Sequence, residues 1–100
     1  MTFGYTPTHP GEVLKDEIMY RNIPQNHLAS QMGMSYKVLN DILNERRPVT
    51  TTTAMLFEAA LGIPADSLLK LQMKYNIQTA SNDRKFLEKL KEVRKLCAML

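Results

Sequence analysis

Residues 25–44, QNHLASQMGMSYKVLNDILN, predict two short helices joined by a tight turn. A steep crossing of two helices needs a very small side chain at the contact and a bend that accepts a left-handed backbone; Ala29 and Gly33 meet these two needs. Ser35 suits the start of the second helix, because its hydroxyl can accept from a free amide one turn on. Apolar residues three or four apart share a helical face and predict a common interior: Leu28, Met32, Met34, Leu39 and Ile42.

This spacing resembles the lambda-repressor-like helix-turn-helix, and the flanking text narrows the resemblance. THPGEVLKDEI before the motif and ERRPVTTTTAMLFEAALGIPADSLLKLQMKY after it resemble the HigA/VapI group of plasmid-maintenance antidote proteins. The family anchors are His-Pro-Gly-Glu-x-Leu, Asn-Gly-x-Arg-Pro-x-Thr and Leu-x-Leu-Gln-x-x-Tyr, and they correspond here to residues 9–14, 44–50 and 69–75. The combination covers about residues 8–76 and is far more specific than a bare helix-turn-helix.

The resemblance implies an all-α fold: a lambda-repressor-like DNA-binding domain of about five helices over residues 1–78, then a C-terminal amphipathic helix over residues 79–100. It implies a repressor of its own operon and the antidote to a ribosome-dependent RNase toxin. Two alternatives remain open. One is a repressor without a toxin partner, and the other is a protein-interaction module that no longer uses DNA, suggested by Asp41 and Glu45 in an otherwise basic region.

The sequence departs from the family pattern at three positions. Glu45 replaces the Gly that follows Asn44, so either Asn44 adopts the left-handed conformation or the helix ends differently. Pro24 replaces a capping Ser but can still lead into a helix. Leu68 stands where a Trp is common.

Helix boundaries outside the motif are marked by proline, threonine and glycine. Pro10 begins a helix that ends near Arg21, Thr50 caps a helix that Gly62 ends, and Pro64 leads into another. Residues 81–83 start the last helix, and no useful strand pattern is present. Inward-facing side chains are expected at Val13, Leu14, Ile18, Ala54, Phe57, Leu61, Leu68, Leu71 and Tyr75.

Charge is unevenly distributed along this chain, whose pI is about 9.1. Residues 21–50 carry four basic and two acidic side chains, and residues 83–100 carry six and three. The first twenty residues carry one basic and three acidic side chains. Such a protein could approach a polyanion with one side, although this balance is also common in proteins that bind no nucleic acid.

The start of the second motif helix is the end that such folds insert into the major groove. Lys37 could reach guanine or a phosphate, and Tyr36 a phosphate or a thymine methyl, unless they are plain surface residues. Asn40 and Asn44 can present paired donor and acceptor groups to adenine, but Asn44 could instead cap the helix end. Asp41 would either select cytosine or pair with Lys37 four residues before it.

Backbone contacts with DNA are predicted on both sides of that helix. A glutamine at a helix N-terminus suits a phosphate contact, a serine hydroxyl can add another, and an arginine beyond the helix can flank the groove. Arg47 could flank it too, or pair with a carboxylate inside the domain. The predicted phosphate contacts are Gln25, Ser35 and Arg46.

One such helix reads few base pairs, so a twofold dimer on an inverted-repeat operator is expected, with recognition helices about 34 Å apart. The candidate dimer interface consists of apolar residues that fall off the inward stripe or near its edge. A small domain also exposes several apolar side chains as a matter of course. The interface candidates are Met55, Leu56, Leu68, Leu69 and Met73.

The last helix carries a heptad seam with basic residues on the opposite face. It could fold back over the domain, join two subunits, or dock with a partner protein. The seam residues are Phe86, Leu90, Val93, Cys97 and Leu100.

Catalytic and metal-binding patterns are missing from the sequence, so an enzyme, a metal site and a cofactor are not expected. His9 and His27 fit structural roles. The single Cys97 cannot form an internal disulfide, and no signal segment or long apolar span occurs, which favours a cytoplasmic protein that enters no membrane. Residues 1–8 predict a loosely held start. The acidic residues of the first helix form a solvated face or attract a basic partner: Glu12, Asp16 and Glu17.

Overall fold

The computed structural model describes residues 8–100, and this part of the chain folds into six α-helices without a strand. The all-α prediction is therefore confirmed for the described residues. The prediction for the first seven residues lies outside them. The helices are α1 (Pro10–Tyr20), α2 (Gln25–Met32), α3 (Tyr36–Leu43), α4 (Thr51–Leu61), α5 (Ala65–Ser81) and α6 (Arg84–Cys97).

Local capping interactions set the ends of these helices where the sequence predicts them. The Ser35 hydroxyl accepts from the Val38 amide at 3.1 Å, which satisfies one of the free donors at the start of α3. Thr50 caps α4 in the same way. Gly33 and Gly62 end α2 and α4 in the left-handed conformation, with φ of 71° and 77°.

Of the two alternatives considered for the end of α3, a left-handed Asn44 is not found. Asn44 has a φ of −102° and is not left-handed. Glu45 itself takes the left-handed conformation, with a φ of 64°. A residue with a Cβ is strained in this conformation, so Glu45 ends α3 at some cost in stability.

The hydrophobic core lies where α1 to α5 meet. The predicted inward residues are buried with four exceptions: Val13 is 37% exposed on the outer side of α1, and Met34, Leu71 and Tyr75 are only half-buried. The buried apolar residues are Leu14, Ile18, Leu28, Ala29, Met32, Leu39, Ile42, Leu43, Val49, Ala54, Phe57, Leu61 and Leu68.

Leu68 requires a correction, since the sequence favoured it both for the inward stripe and for a dimer interface. It is 1% exposed and belongs to the core, so its side chain is not available at a surface between subunits. Met55, Leu56 and Met73 are exposed, and Leu69 is half-buried against the core.

Two of the family anchors join helices that are distant in sequence. Gly11 lies so close to α3 that an added Cβ would collide with the carbonyl oxygen of Ile42. His9 caps α1 by accepting from the Gly11 amide at 2.9 Å, and its ring packs edge-on against Tyr75 of α5, with centroids 4.8 Å apart. Together these contacts fix α1 between α3 and α5.

The 69–75 anchor also holds the extended segment between α3 and α4. The buried Gln72 of α5 accepts from the Val49 amide through Oε1 at 2.8 Å and donates through Nε2 to Asn76 Oδ1 at 2.9 Å. This satisfies a buried backbone donor that no helix could serve. The segment that carries Arg46 and Arg47 is thereby tied to the core.

The last helix does not cover the domain. Within residues 8–100, α6 contains no buried residue and packs chiefly against α5. The Cα radius of gyration is 17.1 Å, whereas a chain of this length folded around one core has about 13 Å. The fold-back interpretation is therefore wrong for this chain in isolation. Residues 79–81 continue α5, and the division into two domains at residue 78 stays a prediction.

None of the helices found in residues 8–100 combines the length and the hydrophobicity that crossing a membrane requires.

Candidate nucleic-acid interface

The first turn of α3 lies at the surface of the domain. Ala29, 1% exposed, lets α2 and α3 approach closely, and the left-handed Gly33 turns the chain so that α3 begins on the outside. Tyr36 is 52% exposed and the Lys37 side chain 80% exposed. This helix end is free to enter a groove, because no described segment covers it.

Asp41 sits at the centre of a cluster of cations on the same surface. Lys37 Nζ donates to its Oδ2 at 3.1 Å and Arg46 Nε donates to its Oδ1 at 3.2 Å. Arg47 Nη2 lies 3.9 Å from Oδ2. The predicted pairing of Asp41 with Lys37 is confirmed, and Arg47 faces a carboxylate of its own domain.

The charges of this cluster do not cancel. Three cations surround one carboxylate, so the group keeps a net charge of +2. The hydrogen bond from Lys37 holds the pKa of Asp41 below its ordinary value; Arg46 adds to this effect and desolvation opposes it. Asp41 is therefore ionised at neutral pH, and the surplus of positive charge beside α3 persists.

Asn40 links the remaining predicted side chains into one hydrogen-bond network. Its Nδ2 lies within hydrogen-bond distance of Gln25 Oε1, at 3.3 Å, and of the Tyr36 hydroxyl, at 3.4 Å. Its Oδ1 accepts from Arg46 Nη2 at 3.0 Å. The start of α2, the face of α3 and the segment after α3 thus present their polar groups together.

Asn44 is turned towards its own domain. Its Nδ2 donates to the Asn40 carbonyl at 2.9 Å, and its Oδ1 accepts from Lys15 Nζ at 3.0 Å. This arrangement corresponds to the helix-end alternative for Asn44. The sequence analysis missed the role of Lys15, because 29 residues separate it from Asn44. The one available signal was that Lys15 is the single cation in an acidic stretch.

Other surfaces of the described chain carry less organised chemistry. An open depression of about 480 Å³ lies between α2 and α4 and includes His27, Gln31 and Leu56. In residues 8–100, no three or more His, Cys, Asp or Glu side chains are grouped so as to hold a metal ion. The concentration of exposed polar and basic groups around α3 is thus the best-defined candidate site.

An all-helical domain with a left-handed glycine bend and an exposed, cation-flanked second helix defines the lambda-repressor-like helix-turn-helix class. The sequence matches no family model. Virulence-associated protein I of Dichelobacter nodosus is 31% identical over 77 residues, which cover 76% of this chain and 71% of that protein. The chain belongs to the HigA/VapI family of antidote proteins.

Solved structures share this architecture. An addiction module antidote protein of a HigA family from Coxiella burnetii is 28% identical, with a TM-score of 0.71 over 91% of this chain and 94% of that one. Pseudomonas aeruginosa antitoxin HigA, solved with the higBA promoter, is 29% identical, with a TM-score of 0.72 over 89% of this chain and 92% of that one. The matches extend over most of each chain.

Proposed function

We propose that this chain is a sequence-specific DNA-binding repressor and the antitoxin of a HigBA-type toxin-antitoxin pair, and that it binds the promoter of its own operon. The observation that carries the proposal is the exposed first turn of α3, flanked by a cluster with a net positive charge. The similar HigA from Pseudomonas aeruginosa was solved with the higBA promoter. Such a repressor acts where the chromosome lies, which in a bacterium is the cytoplasm, and its work requires neither catalysis nor a cofactor.

The proposed contacts divide between bases and phosphates. Tyr36, Lys37 and Asn40 lie on the exposed side of α3 and would meet base edges in the major groove. Gln25 and Ser35, at the starts of α2 and α3, would meet phosphates together with nearby backbone amides. Arg46 would flank the groove on the other side. The hydrogen bonds of Asn40 restrain Gln25, Tyr36 and Arg46 in the free protein, which would lower the entropy cost of binding.

A homodimer is part of the proposal, because one recognition helix covers only half of an inverted repeat. The remaining candidates for its interface are apolar: Met55, Leu56, Leu69 and Met73. The unburied seam of α6 is a second candidate surface. Either surface would remove apolar area from water when two copies associate.

Footprinting of the purified protein on its own promoter tests the DNA-binding role. We expect protection of an inverted repeat by the wild-type chain and its loss in the Lys37→Ala, Arg46→Ala double variant. The matched control is Lys70→Ala, which removes another exposed lysine of an i, i+4 pair, on α5. Unchanged protection in the double variant would reject these two contacts. Absence of protection by the wild-type chain would reject the repressor.

Measuring affinity at two salt concentrations separates DNA binding from a protein-interaction role. Each phosphate neutralised by a cation releases counterions, so log affinity falls with log salt by about 0.9 for each contact. Loss of Arg46 should flatten this slope by about one contact. A wild-type affinity that does not respond to salt would favour the protein-interaction module.

The toxin partner is tested at the level of the operon. We expect a short reading frame next to the gene to encode an RNase toxin whose growth inhibition is relieved when this chain is co-expressed. Direct contact should also make the two chains copurify. If the promoter is protected but no such toxin is found, the chain is a repressor without a toxin partner.

A further inference from the structure

Asp41 occupies an unusual position in this surface. Its side chain is 13% exposed, whereas the side chains of Lys37 and Arg46 beside it are 80% and 60% exposed. The short carboxylate thus lies beneath two long cationic side chains whose stems extend towards solvent. It forms the inner layer of the cluster, and a ligand approaching α3 meets the cations first.

Both carboxylate oxygens are already in use. Oδ1 accepts from Arg46 and Oδ2 accepts from Lys37, with Arg47 at the edge of ion-pair distance. A carboxylate that reads cytosine must offer an oxygen to the exocyclic amine in the groove. Asp41 would have to break an ion pair to do so, and this energetic cost disfavours direct reading of a base by its carboxylate.

The same ion pairs restrain the cations. Arg46 is held at two points, by the Asp41 carboxylate and by Asn40 Oδ1 at 3.0 Å, so its guanidinium has a defined direction. A phosphate that recruits Lys37 or Arg46 must compete with a carboxylate already in contact. Such competition weakens attraction to any duplex, because non-specific binding comes almost entirely from cations meeting phosphates.

We infer that Asp41 is a specificity-determining positioning residue: its carboxylate holds Lys37 and Arg46 in the arrangement that suits the operator and opposes their capture by phosphates of other sequences. This inference rests on the proposed function. It assigns to Asp41 a role exerted through its neighbours rather than through a base. When the operator bases bind the other polar groups of α3, Lys37 and Arg46 are both aligned with their DNA contacts. An unrelated duplex lacks those base contacts, so its phosphates gain too little binding energy to replace the Asp41 carboxylate.

The test is the Asp41→Asn variant, which keeps the shape of the side chain and removes its charge. Affinities for the promoter and for a scrambled duplex are measured between about 50 and 200 mM salt. We expect affinity for the scrambled duplex to rise about three- to tenfold and its salt slope to steepen by about one contact. Promoter affinity should change less, so that the ratio of the two affinities falls.

Control variants separate this role from simple charge removal. Asp66→Asn removes the same charge from another i, i+4 Asp–Lys pair, whose atoms are 4.0 Å apart on α5, and should leave both slopes unchanged. In a Lys37→Gln, Arg46→Gln background, Asp41→Asn should no longer raise affinity for the scrambled duplex. Asp41→Glu keeps the charge, so its ratio of promoter affinity to scrambled-duplex affinity should stay closer to that of the wild type. Thermal unfolding of each variant verifies that the domain is folded.

Three outcomes count against the inference. A base-reading role predicts that Asp41→Asn loses discrimination at one base pair while affinity for the scrambled duplex stays constant. A structural role predicts loss of both affinities together with a lower melting temperature and an unchanged salt slope. An equal response to Asp66→Asn would point to net charge alone. By contrast, failure of the wild-type chain to prefer its promoter would overturn the proposed function itself.

Discussion

At the scale of single residues, two glycines of this domain serve different physical needs. Gly11 is required because α1 approaches the Ile42 carbonyl too closely for any side chain. Gly33 has open space around the position of a Cβ, and it is required because its φ of 71° is left-handed. The first is a packing constraint between two helices, and the second is a backbone constraint within one turn.

Alanine substitution should therefore affect the two positions unequally. Gly33→Ala should lower the free energy of unfolding by about 1 kcal/mol, the cost of a left-handed residue with a Cβ. Gly11→Ala should cost about 3 kcal/mol, because α1 must move away from α3. Urea denaturation of both variants measures the difference. Equal losses would contradict this account, because α1 could then move away from α3 for no more than the cost of one strained residue.

The buried His9 makes stability depend on pH. Burial lowers its pKa from the ordinary 6.5, with partial opposition from Glu45. The unfolded chain then binds a proton more readily than the folded one, so stability is complete above about pH 6.5 and falls as the pH drops below it. Protonation of Nδ1 would also remove the cap that accepts from Gly11.

We expect the free energy of unfolding to fall by about 1 kcal/mol between neutral pH and about pH 5, the typical worth of an N-cap. His9→Asn keeps a capping acceptor without a titrating ring, and this part of the pH dependence should disappear. His27→Gln is the control for the other histidine. A pH dependence that survives in His9→Asn would assign it to other groups.

At the scale of elements, the segment between α3 and α4 depends on an interaction from α5. Gln72 supplies the acceptor for the Val49 amide, and the segment before Val49 carries Arg46 and Arg47. The recognition surface is thus held from two sides. Asp41 and Asn40 hold the Arg46 side chain at α3, and Gln72 holds the backbone that follows the two arginines.

Replacing Gln72 by Met should destabilise the domain by about 1 to 3 kcal/mol, because the buried Val49 amide loses its only acceptor within the described chain. Hydrogen exchange at the Val49 amide should become faster, because this amide is no longer hydrogen-bonded. Asn76→Ala is the matched control: it removes the exposed acceptor of the Gln72 side-chain Nε2, leaves the bond to Val49 in place, and should cost less. Slow exchange at Val49 in Gln72→Met would contradict this account.

At the scale of the whole molecule, the chain divides into a packed five-helix part and an extended last helix. Phe57 is completely buried at the centre of the first part, whereas Phe86 and Val93 on α6 are 43% and 42% exposed. Apolar area that stays in water contributes little to folding. The seam of α6 is thus available for association, while the stability of the domain comes from α1 to α5.

A comparison of core and seam substitutions tests this division. The Phe86→Ser, Val93→Glu double variant should change the free energy of unfolding by no more than about 0.5 kcal/mol at high dilution. Phe57→Ala should cost about 3 to 5 kcal/mol. If α6 joins two subunits, sedimentation should show weaker self-association in the double variant. A stability loss similar to that of Phe57→Ala would place α6 in the core.

The sequence alone determined the features that depend on neighbouring residues. Ser35 and Thr50 cap their helices, and Gly33 and Gly62 end theirs, because each interaction closes within one helical turn. The heptad spacing of α6 likewise revealed an apolar face. These are short-range properties of the backbone and of helical periodicity, so they can be read without knowing where the helices lie.

Only the tertiary structure decided what depends on distant residues. The burial of Leu68, the bond from Lys15 to Asn44 and the hold of Gln72 on Val49 arise because helices far apart in sequence pack side by side. The position of the α6 face was likewise undecided, since an apolar stripe indicates burial without naming its partner. Sequence spacing specifies a helical face, but packing selects what that face meets.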